Sequence, residues 1–188
     1  QAVASGALAS GDTVVVNANG TVSVVAGGSQ SIGSETNFET GGRVEHLSAA
    51  YDANAQKVVI AYRDNTNSNY GTAIVGTVSG TSITFGTAVV YHADATNYSS
   101  IVYDENAQKV VIAYQDDNDS NKGTAIVGTV SGTGISFGSP TVFDTDNAFI
   151  NTVYDANAQK IVISYRDGSN SDYGTAIVGT VSGTNISF

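Results

Sequence analysis

The stretch Gly-Thr-Ala-Ile-Val-Gly-Thr-Val-Ser-Gly-Thr occurs three times in this chain without a single change. Its copies occupy residues 71–81, 123–133 and 174–184. Each copy lies in a longer unit that opens on a Tyr-Asp pair. The pairs are Tyr51-Asp52, Tyr103-Asp104 and Tyr154-Asp155, so the units are 52 and then 51 residues apart. A fixed period of about 50 residues indicates a tandem array of one supersecondary unit.

One unit is predicted to be a meander of four short antiparallel strands. In the middle copy we expect strands at 99–103, 109–114, 123–130 and 135–143, rich in β-branched residues and separated by polar turns. The second and third strands are nearly continuous apolar runs, whereas a sheet with one wet face would alternate. We therefore predict an all-β fold of β-propeller type, in which sheets covered on both faces pack in series as blades.

A glycine recurs in the middle of the third strand of every unit. The three residues are Gly76, Gly128 and Gly179. Glycine inside a strand often marks a close approach of another backbone. We expect the neighbouring blade to pack against the strand at this position.

Residues 1–50 differ from the repeats and are predicted to form a cap or half-blade. Two apolar runs, 13–17 and 21–25, flank an Asn19-Gly20 turn signal and predict a hairpin. Residues 27–33 resemble a linker, and the segment 35–39 aligns with the fourth-strand segments at 88–91 and 140–143. Three blades follow, at 51–102, 103–153 and 154–188, and the last is incomplete.

The predicted array has open ends. Phe188 aligns with Phe85 and Phe137, after which the earlier copies continue with another strand, so we expect the natural polypeptide to extend past Phe188. Propellers typically have four to eight blades. Either further residues complete the ring, or the ring closes across subunits, or the blades stack without a closed ring. Unpaired sheet edges favour pairing with another chain, so self-association is expected.

Composition excludes several classes of partner. The formal net charge is −10, from seven Lys and Arg against seventeen Asp and Glu, which opposes binding to nucleic acid and to anionic membranes. No stretch approaches the ~20 apolar residues of a membrane span, so no membrane insertion is expected. The chain lacks cysteine, which excludes disulfides, thiolate metal sites and a cysteine nucleophile. An acidic surface rich in Asn, Thr, Ser and Gly is typical of a soluble protein in a salty or extracellular setting.

The repeat resembles the blades of sialidase-like, Asp-box propellers. The likeness lies in residues 101–104 and 110–116 and in the hairpin 130–138, although this hairpin has no Asp, and Phe85, Phe137 and Phe188 stand where an Asp-box has Trp. The whole chain also resembles repeat-rich virion structural and fibre proteins of marine tailed phages. That resemblance implies a structural or attachment role at the surface of a particle.

The strongest candidate site is the polar loop after the second strand of each unit. Its candidate residues are Asp64, Asn67, Asn69 and Tyr70 in the first unit, Asp116, Asp119 and Asn121 in the second, and Asp167, Asn170, Asp172 and Tyr173 in the third. Hard oxygen ligands at close spacing suit Ca²⁺, most directly at Asp64, Asp116 and Asp167. The tyrosines suit a cell-surface glycan. The simplest alternative is a solvated turn in which Asp and Asn bond their own backbone. No other cofactor is expected.

Catalysis is not predicted. A site repeated once per blade differs from an active site, where different residues converge. A sialidase-type site needs an arginine cluster, but the chain has only Arg43, Arg63 and Arg166, and its two histidines, His46 and His92, do not recur. We predict a structural or attachment protein, a virion appendage, fibre or decoration component that assembles with itself or with other virion or surface proteins. The alternatives are a propeller lectin and a degenerate sialidase-like glycosidase.

Overall fold

The computed structural model describes residues 3–4, 7, 10, 13–24 and 32–188. The described elements are strands, apart from one short 3-10 turn at Gly168–Asn170. The chain divides into two compact units, 1–33 and 34–188. The all-β prediction is therefore confirmed, and neighbouring strands in the second unit are antiparallel.

The first unit contains the predicted hairpin. β2 (Val14–Val16) and β3 (Thr21–Val24) pair in antiparallel register, and Gly20 in the turn has a φ of +80°. Glycine adopts this backbone conformation without steric cost. β1 (Val3–Ala4) pairs in parallel with β3. Val25 of the predicted second strand and residues 27–31 of the predicted linker lie outside the described residues.

Three sheets of the second unit follow the sequence repeats. The first sheet contains β4 (Val44–Asp52), β5 (Lys57–Asp64), β6 (Tyr70–Ser79) and β7 (Ser82–Phe85). The second sheet contains the latter half of β8 (Val89–Asp104), then β9 (Lys109–Asp116), β10 (Lys122–Ser131) and β11 (Gly134–Phe137). The third sheet contains β13 (Asn147–Asp155), β14 (Lys160–Asp167), β15 (Tyr173–Ser182) and β16 (Asn185–Ser187). Each sheet is an antiparallel meander in chain order.

β8 belongs to two sheets. Its residues 89–95 pair with β6 of the first sheet, and its residues 96–104 pair with β9 of the second. β12 (Thr141–Asp144) lies in the same way on the edge of β10. We call residues 89–92 and 141–144 the return strands, because each lies on one sheet just before the chain enters the next.

The predicted fourth strand at 135–143 is in fact two strands. β11 ends at Phe137 and β12 begins at Thr141, and both pair with the same edge of β10. Pro140 lies in the gap and has no N–H to donate to the ladder. The chain therefore leaves the sheet after Phe137, passes through residues 138–140 and rejoins the same edge at Thr141.

The sheets pack face to face in chain order. We call the side of a sheet that faces the next repeat its downstream face and the opposite side its upstream face. The downstream face of the first sheet comprises Val59, Ala61, Ala73 and Val75, and it packs on the upstream face of the second, which comprises Val110, Ile112, Tyr114 and Ile126. One repeat later, Val111, Ala113, Ala125 and Val127 pack in the same manner on Ile161, Ile163 and Tyr165.

The prediction that a sheet is covered on both faces is confirmed for the second sheet and wrong for the third. Val75 and Val127 have no exposed surface, but the equivalent Val178 is 54% exposed. Ala176, which matches the buried Ala73 and Ala125, is also exposed. The identical eleven-residue stretch thus has the same fold in each copy, and its burial depends on whether another sheet follows.

An aromatic triad recurs at the upstream side of each sheet. Tyr91 of a return strand lies with ring centroids 5.2 Å from Tyr114 and 5.9 Å from Phe137. Phe143 contacts Tyr165 and Phe188 at 5.3 and 5.6 Å, and Phe38 contacts Tyr62 and Phe85 at 5.2 and 5.7 Å. Phe38 therefore occupies the position of a return-strand aromatic, in agreement with the alignment of 35–39 with the later segments.

The prediction that the neighbouring blade packs against the mid-strand glycines is wrong. A Cβ on Gly76 would lie 2.8 Å from Ile83 and 3.1 Å from Phe85, which belong to the paired strand of the same sheet. Contact between sheets instead involves Gly86 and Gly138. A Cβ on Gly138 would lie 1.9 Å from the carbonyl oxygen of Thr184 in the third sheet, so no side chain fits there.

Candidate functional site

The three candidate loops connect the second and third strands of their sheets and share one backbone geometry. Two consecutive residues in each loop have positive φ, between 55° and 65°. They are Ser68 and Asn69, Ser120 and Asn121, and Ser171 and Asp172. Asn and Asp tolerate this left-handed conformation better than most residues, and they occupy the second of the two positions in all three loops.

The first aspartate of each loop accepts hydrogen bonds from that loop. Asp64 Oδ1 accepts from the backbone nitrogens of Thr66 and Asn67 at 3.0 and 3.1 Å and from Thr66 Oγ1 at 2.6 Å. Asp116 Oδ1 accepts from the Asp119 nitrogen at 3.3 Å, and Asp167 Oδ1 accepts from Ser169 Oγ at 2.7 Å. These carboxylates stabilise the turns, as the solvated-turn interpretation requires.

The structure keeps the candidate residues of different repeats in separate loops. Within the described residues, no group of three or more His, Asp or Glu side chains is placed to hold a metal ion. Asn69 and Asn121 contribute backbone carbonyls instead, which accept from the nitrogens of Thr96 and Asn147 at the start of the next repeat. The arrangement therefore links one repeat to the next through the loops.

The loop tyrosines differ in exposure. Tyr70 pairs with Ala95 at the edge of the sheet and is half-buried, whereas Tyr173 is 63% exposed. Arg166 Nε, on β14, lies 3.6 Å from Oδ1 of Asp172, the loop residue that precedes Tyr173. Among the three loops, the third thus presents an aromatic face to solvent beside two charged groups.

A column of aromatic rings runs across the repeats beside these loops, and sequence reasoning missed it. His46, Tyr98 and Phe149 lie at the bulges of β4, β8 and β13, each with a φ near 50°. Their ring centroids are 5.2 and 4.9 Å apart. Phe149 ends the column, with the Arg166 guanidinium 5.4 Å from its centroid. The sequence indicates the column only through spacing, because the three residues lie 52 and 51 residues apart but are of three different types.

A polar track beside the column also joins the repeats. Arg63 Nη1 donates to Asn97 Oδ1, and Asn97 Nδ2 donates to Gln115 Oε1 at 3.2 Å. Gln115 Nε2 then donates to the backbone oxygen of Asn147. At the upstream end, Glu45 Oε2 lies 3.9 Å from Arg63 Nε. Position 63 and its equivalent 115 therefore bind the following repeat, while Arg166 in the last repeat bonds within its own sheet.

Burial and hydrogen bonding shift the pKa values of groups in this region. Desolvation, followed by the nearby Arg63 charge, lowers the pKa of His46, although Glu45 and Asp117 oppose the shift. Desolvation raises the pKa of Tyr62, Tyr91 and Tyr165 to about 12, so the triad phenols stay neutral. The hydrogen bond from Asn65 lowers the pKa of the Glu45 carboxyl, and that carboxylate remains charged beside Arg63.

Hydrogen bonds farther from the loops repeat as well. The Tyr103 hydroxyl accepts from the Asn54 nitrogen, and the Tyr154 hydroxyl accepts from the Asn106 nitrogen, both at 3.2 Å. Ser48 Oγ accepts from the Ile101 nitrogen at 3.3 Å, and Ser100 Oγ accepts from the Thr152 nitrogen at 3.1 Å. Equivalent residues therefore make equivalent contacts at both interfaces between sheets.

In comparisons with known proteins, no family model matches the chain, and no curated protein matches it either. The part of the chain that the structure describes contains no pocket. It also contains no helix with the length and apolar character of a membrane span.

Proposed function

We propose that this chain is a structural or attachment protein, a virion appendage, fibre or decoration component whose repeats are propeller-type blades. The observation that supports the proposal is that the repeated residues make packing contacts within and between the sheets. Equivalent aromatics form the three triads, and equivalent tyrosine hydroxyls and serines join successive sheets. Residues repeated for packing suit a rigid module that spaces or presents surfaces.

The blade interpretation draws support from the contacts of the first strands. β4, β8 and β13 are joined directly by the Ser48 and Ser100 hydrogen bonds. In a propeller the four-stranded blades surround a central channel, so adjacent blades approach each other most nearly at the strands beside that channel. The loops and the aromatic column then lie at one end of the blades, where an attachment protein would meet its partner.

Detection of the chain in purified virus particles tests the proposed function. An antibody against the recombinant protein, combined with mass spectrometry of particles purified by density gradient, should find the chain in the particles. Immunogold electron microscopy should then locate it on an appendage or on the particle surface. An enzyme made only in the infected cell is the control for contamination. Abundance in the infected lysate together with absence from the particles would reject the proposal.

Glycan binding is a second candidate, favoured by the exposed Tyr173. An aromatic face beside Asp172 and Arg166 offers both apolar contact and hydrogen bonds to a sugar. A glycan array should show binding by the wild type and loss of binding by Tyr173→Ala. Tyr70→Phe, at the matching but half-buried position, is the control. Equal signals for the wild type and Tyr173→Ala would remove this candidate.

A further inference from the structure

The last residue of each return strand faces the aspartate at the end of the second strand of the next sheet. We call this contact the junction between two sheets. His92 Nε2 lies 3.1 Å from Asp116 Oδ2 at the first junction, and this imidazole is charged only when it is protonated. At the second junction the equivalent residues are Asp144 and Asp167, which repel each other as anions. One junction therefore pairs an imidazole with a carboxylate, whereas the other pairs two carboxylates.

The path of the chain adds a third carboxylate at the second junction. Asp144 Oδ1 accepts from the backbone nitrogen of Asp146 at 2.9 Å. The Gly168 nitrogen donates to the backbone oxygen of Asp146 at 2.8 Å, and a Cβ on Gly168 would meet the Asp146 carboxylate. Asp167, the residue before that glycine, is only 8% exposed. Three carboxylates thus lie close together, and one of them is almost entirely removed from water.

The basic side chains of the neighbouring strands pair with other carboxylates. Lys122, which begins β10, has its Nζ 2.8 Å from Asp119 Oδ2 of the adjoining loop. Arg166 of β14 has its Nε 3.6 Å from Asp172 Oδ1. Within the described residues, the charges that shift Asp144 are therefore all negative.

A buried amide without a hydrogen-bond partner lies at the same junction. Asn147 is 1% exposed, and neither its Oδ1 nor its Nδ2 has a partner among the described residues. It is directly opposite Asp167 in the ladder of β13 and β14, so the two side chains lie on one face of the sheet. A Cβ on Gly123, the β10 partner of Asp144, would meet its Nδ2. The junction therefore has unused acceptors for an additional O–H donor.

Burial makes Asp144 the group most ready to supply that donor. Desolvation raises the pKa of its carboxyl, and the Asp167 and Asp146 charges add to the shift, against hydrogen bonds from the Asp146 nitrogen and from Tyr165. Folding thus favours the protonated acid. The resulting stabilisation increases as pH falls through the raised folded pKa, and it is complete below the unfolded value of about 3.8.

We propose that the second junction is a pH-sensitive joint, in which Asp144 and Asp167 hold one proton from solvent in mild acid and repel each other at neutral pH. The third sheet is then held more firmly on the second in acid than at neutral pH. The first junction lacks this repulsion, because His92 faces Asp116 there. This response belongs to the contact between two sheets and does not depend on the function proposed above.

A carboxyl-carbon NMR titration of labelled protein from pH 7.5 to pH 3 measures the proton directly. Asp144→Asn identifies the Asp144 resonance by removing it. We expect its titration midpoint above the usual value of 3.8 in the wild type and a lower midpoint in Asp167→Asn, where the neighbouring charge is gone. A wild-type midpoint at or below 3.8 would overturn the proposal, and so would a midpoint that Asp167→Asn leaves unchanged.

Hydrogen exchange in β14 measures the effect on the third sheet. Wild type and Asp144→Asn are compared at the same pH, which cancels the intrinsic effect of pH on exchange. At pH 7 the substitution removes the repulsion and should slow exchange in β14 by about two- to fivefold. This difference should shrink as the pH is lowered to 4. Glu105→Gln removes one negative charge from an exposed turn of the second sheet and should leave β14 unchanged. Equal exchange in wild type and Asp144→Asn at pH 7 would refute the joint.

Calcium ions distinguish a shared proton from a bound metal. Exchange in the wild type at pH 7 should be the same in millimolar calcium chloride as in EDTA, because the pair holds a proton. Slower exchange of β14 in calcium, seen in the wild type and absent from Asp144→Asn, would assign the two carboxylates to a metal ion and reject the proton.

Discussion

At the scale of single residues, the loops depend on one carboxylate each. Asp64 is buried to more than nine-tenths, and it accepts three hydrogen bonds from two residues of its own loop. Hydrogen bonds of this kind, from a side chain to the backbone of its own loop, stabilise the turn. The aspartates of the loops thus act on the backbone around them.

We expect Asp64→Ala to lower the free energy of unfolding by about 1–3 kcal/mol, because two loop N–H groups lose their acceptor. Urea unfolding followed by circular dichroism measures the change. Asn170→Ala, at an exposed position of the equivalent loop without a positive φ, is the control and should change stability by less than about 0.5 kcal/mol. A stability for Asp64→Ala equal to that of the wild type would show that the loop holds its shape without the carboxylate.

His46 gives the aromatic column a pH dependence. Its pKa is lowered in the folded state, so folding favours the neutral ring. This stabilisation is present above the unfolded pKa of about 6.5 and is lost as pH falls through the lower folded pKa. Between about pH 7.5 and pH 5.5, His46→Tyr should therefore lose less stability than the wild type. Both proteins keep His92, so the difference between their melting curves reports His46. Parallel curves for the two proteins would contradict the prediction.

At the scale of elements, the contacts between sheets depend on positions where no side chain fits. Gly138 follows β11 and lies against the backbone of Thr184, and Gly86 lies in the same way against Thr133. Each glycine therefore fixes how closely one sheet approaches the hairpin of the next. The identical stretch at 123–133 and 174–184 supplies that hairpin, which gives its exact repetition a structural reason.

Gly138→Ala should destabilise the protein by about 2–3 kcal/mol, since the added carbon can be placed only by moving backbone apart. Gly134→Ala is the matched control four residues earlier, where a Cβ would have an ordinary contact of 3.7 Å with Ser131. Thermal unfolding of the two variants measures the difference. Equal midpoints would indicate that the sheets separate at this point at little cost.

Parts of this arrangement could be predicted from sequence because they have a local signature. The period, the β-branched runs and the Asn19-Gly20 turn each determine structure nearby, and Phe38 could be aligned with Tyr91 and Phe143 from its neighbours. The aromatic column could not be found in this way. His46, Tyr98 and Phe149 share no chemistry, and positive φ at such residues arises from the bulge in the sheet rather than from residue preference.

At the scale of the whole second unit, the three sheets form a series in which each contacts its neighbours. Two separate cores lie between them, one on each side of the second sheet. In such arrays stability is approximately the sum of the stability of each unit and the coupling between neighbours. The third sheet, covered on one face, thus depends on a single core and on the Phe143 triad.

Phe143→Ala should therefore uncouple the third sheet from the second. The substitution removes the half-buried ring that contacts Tyr165 and Phe188, at a cost of about 2–3 kcal/mol at that interface. Native-state hydrogen exchange with mass spectrometry should show faster exchange in β14 and β15, while β9 and β5 keep their protection. Val142→Ala, at the neighbouring position of the same return strand, shortens an exposed side chain and is the control. Exchange that accelerates equally in all three sheets would show that they unfold as one cooperative body, because loss of one interface would then lower the protection of every strand.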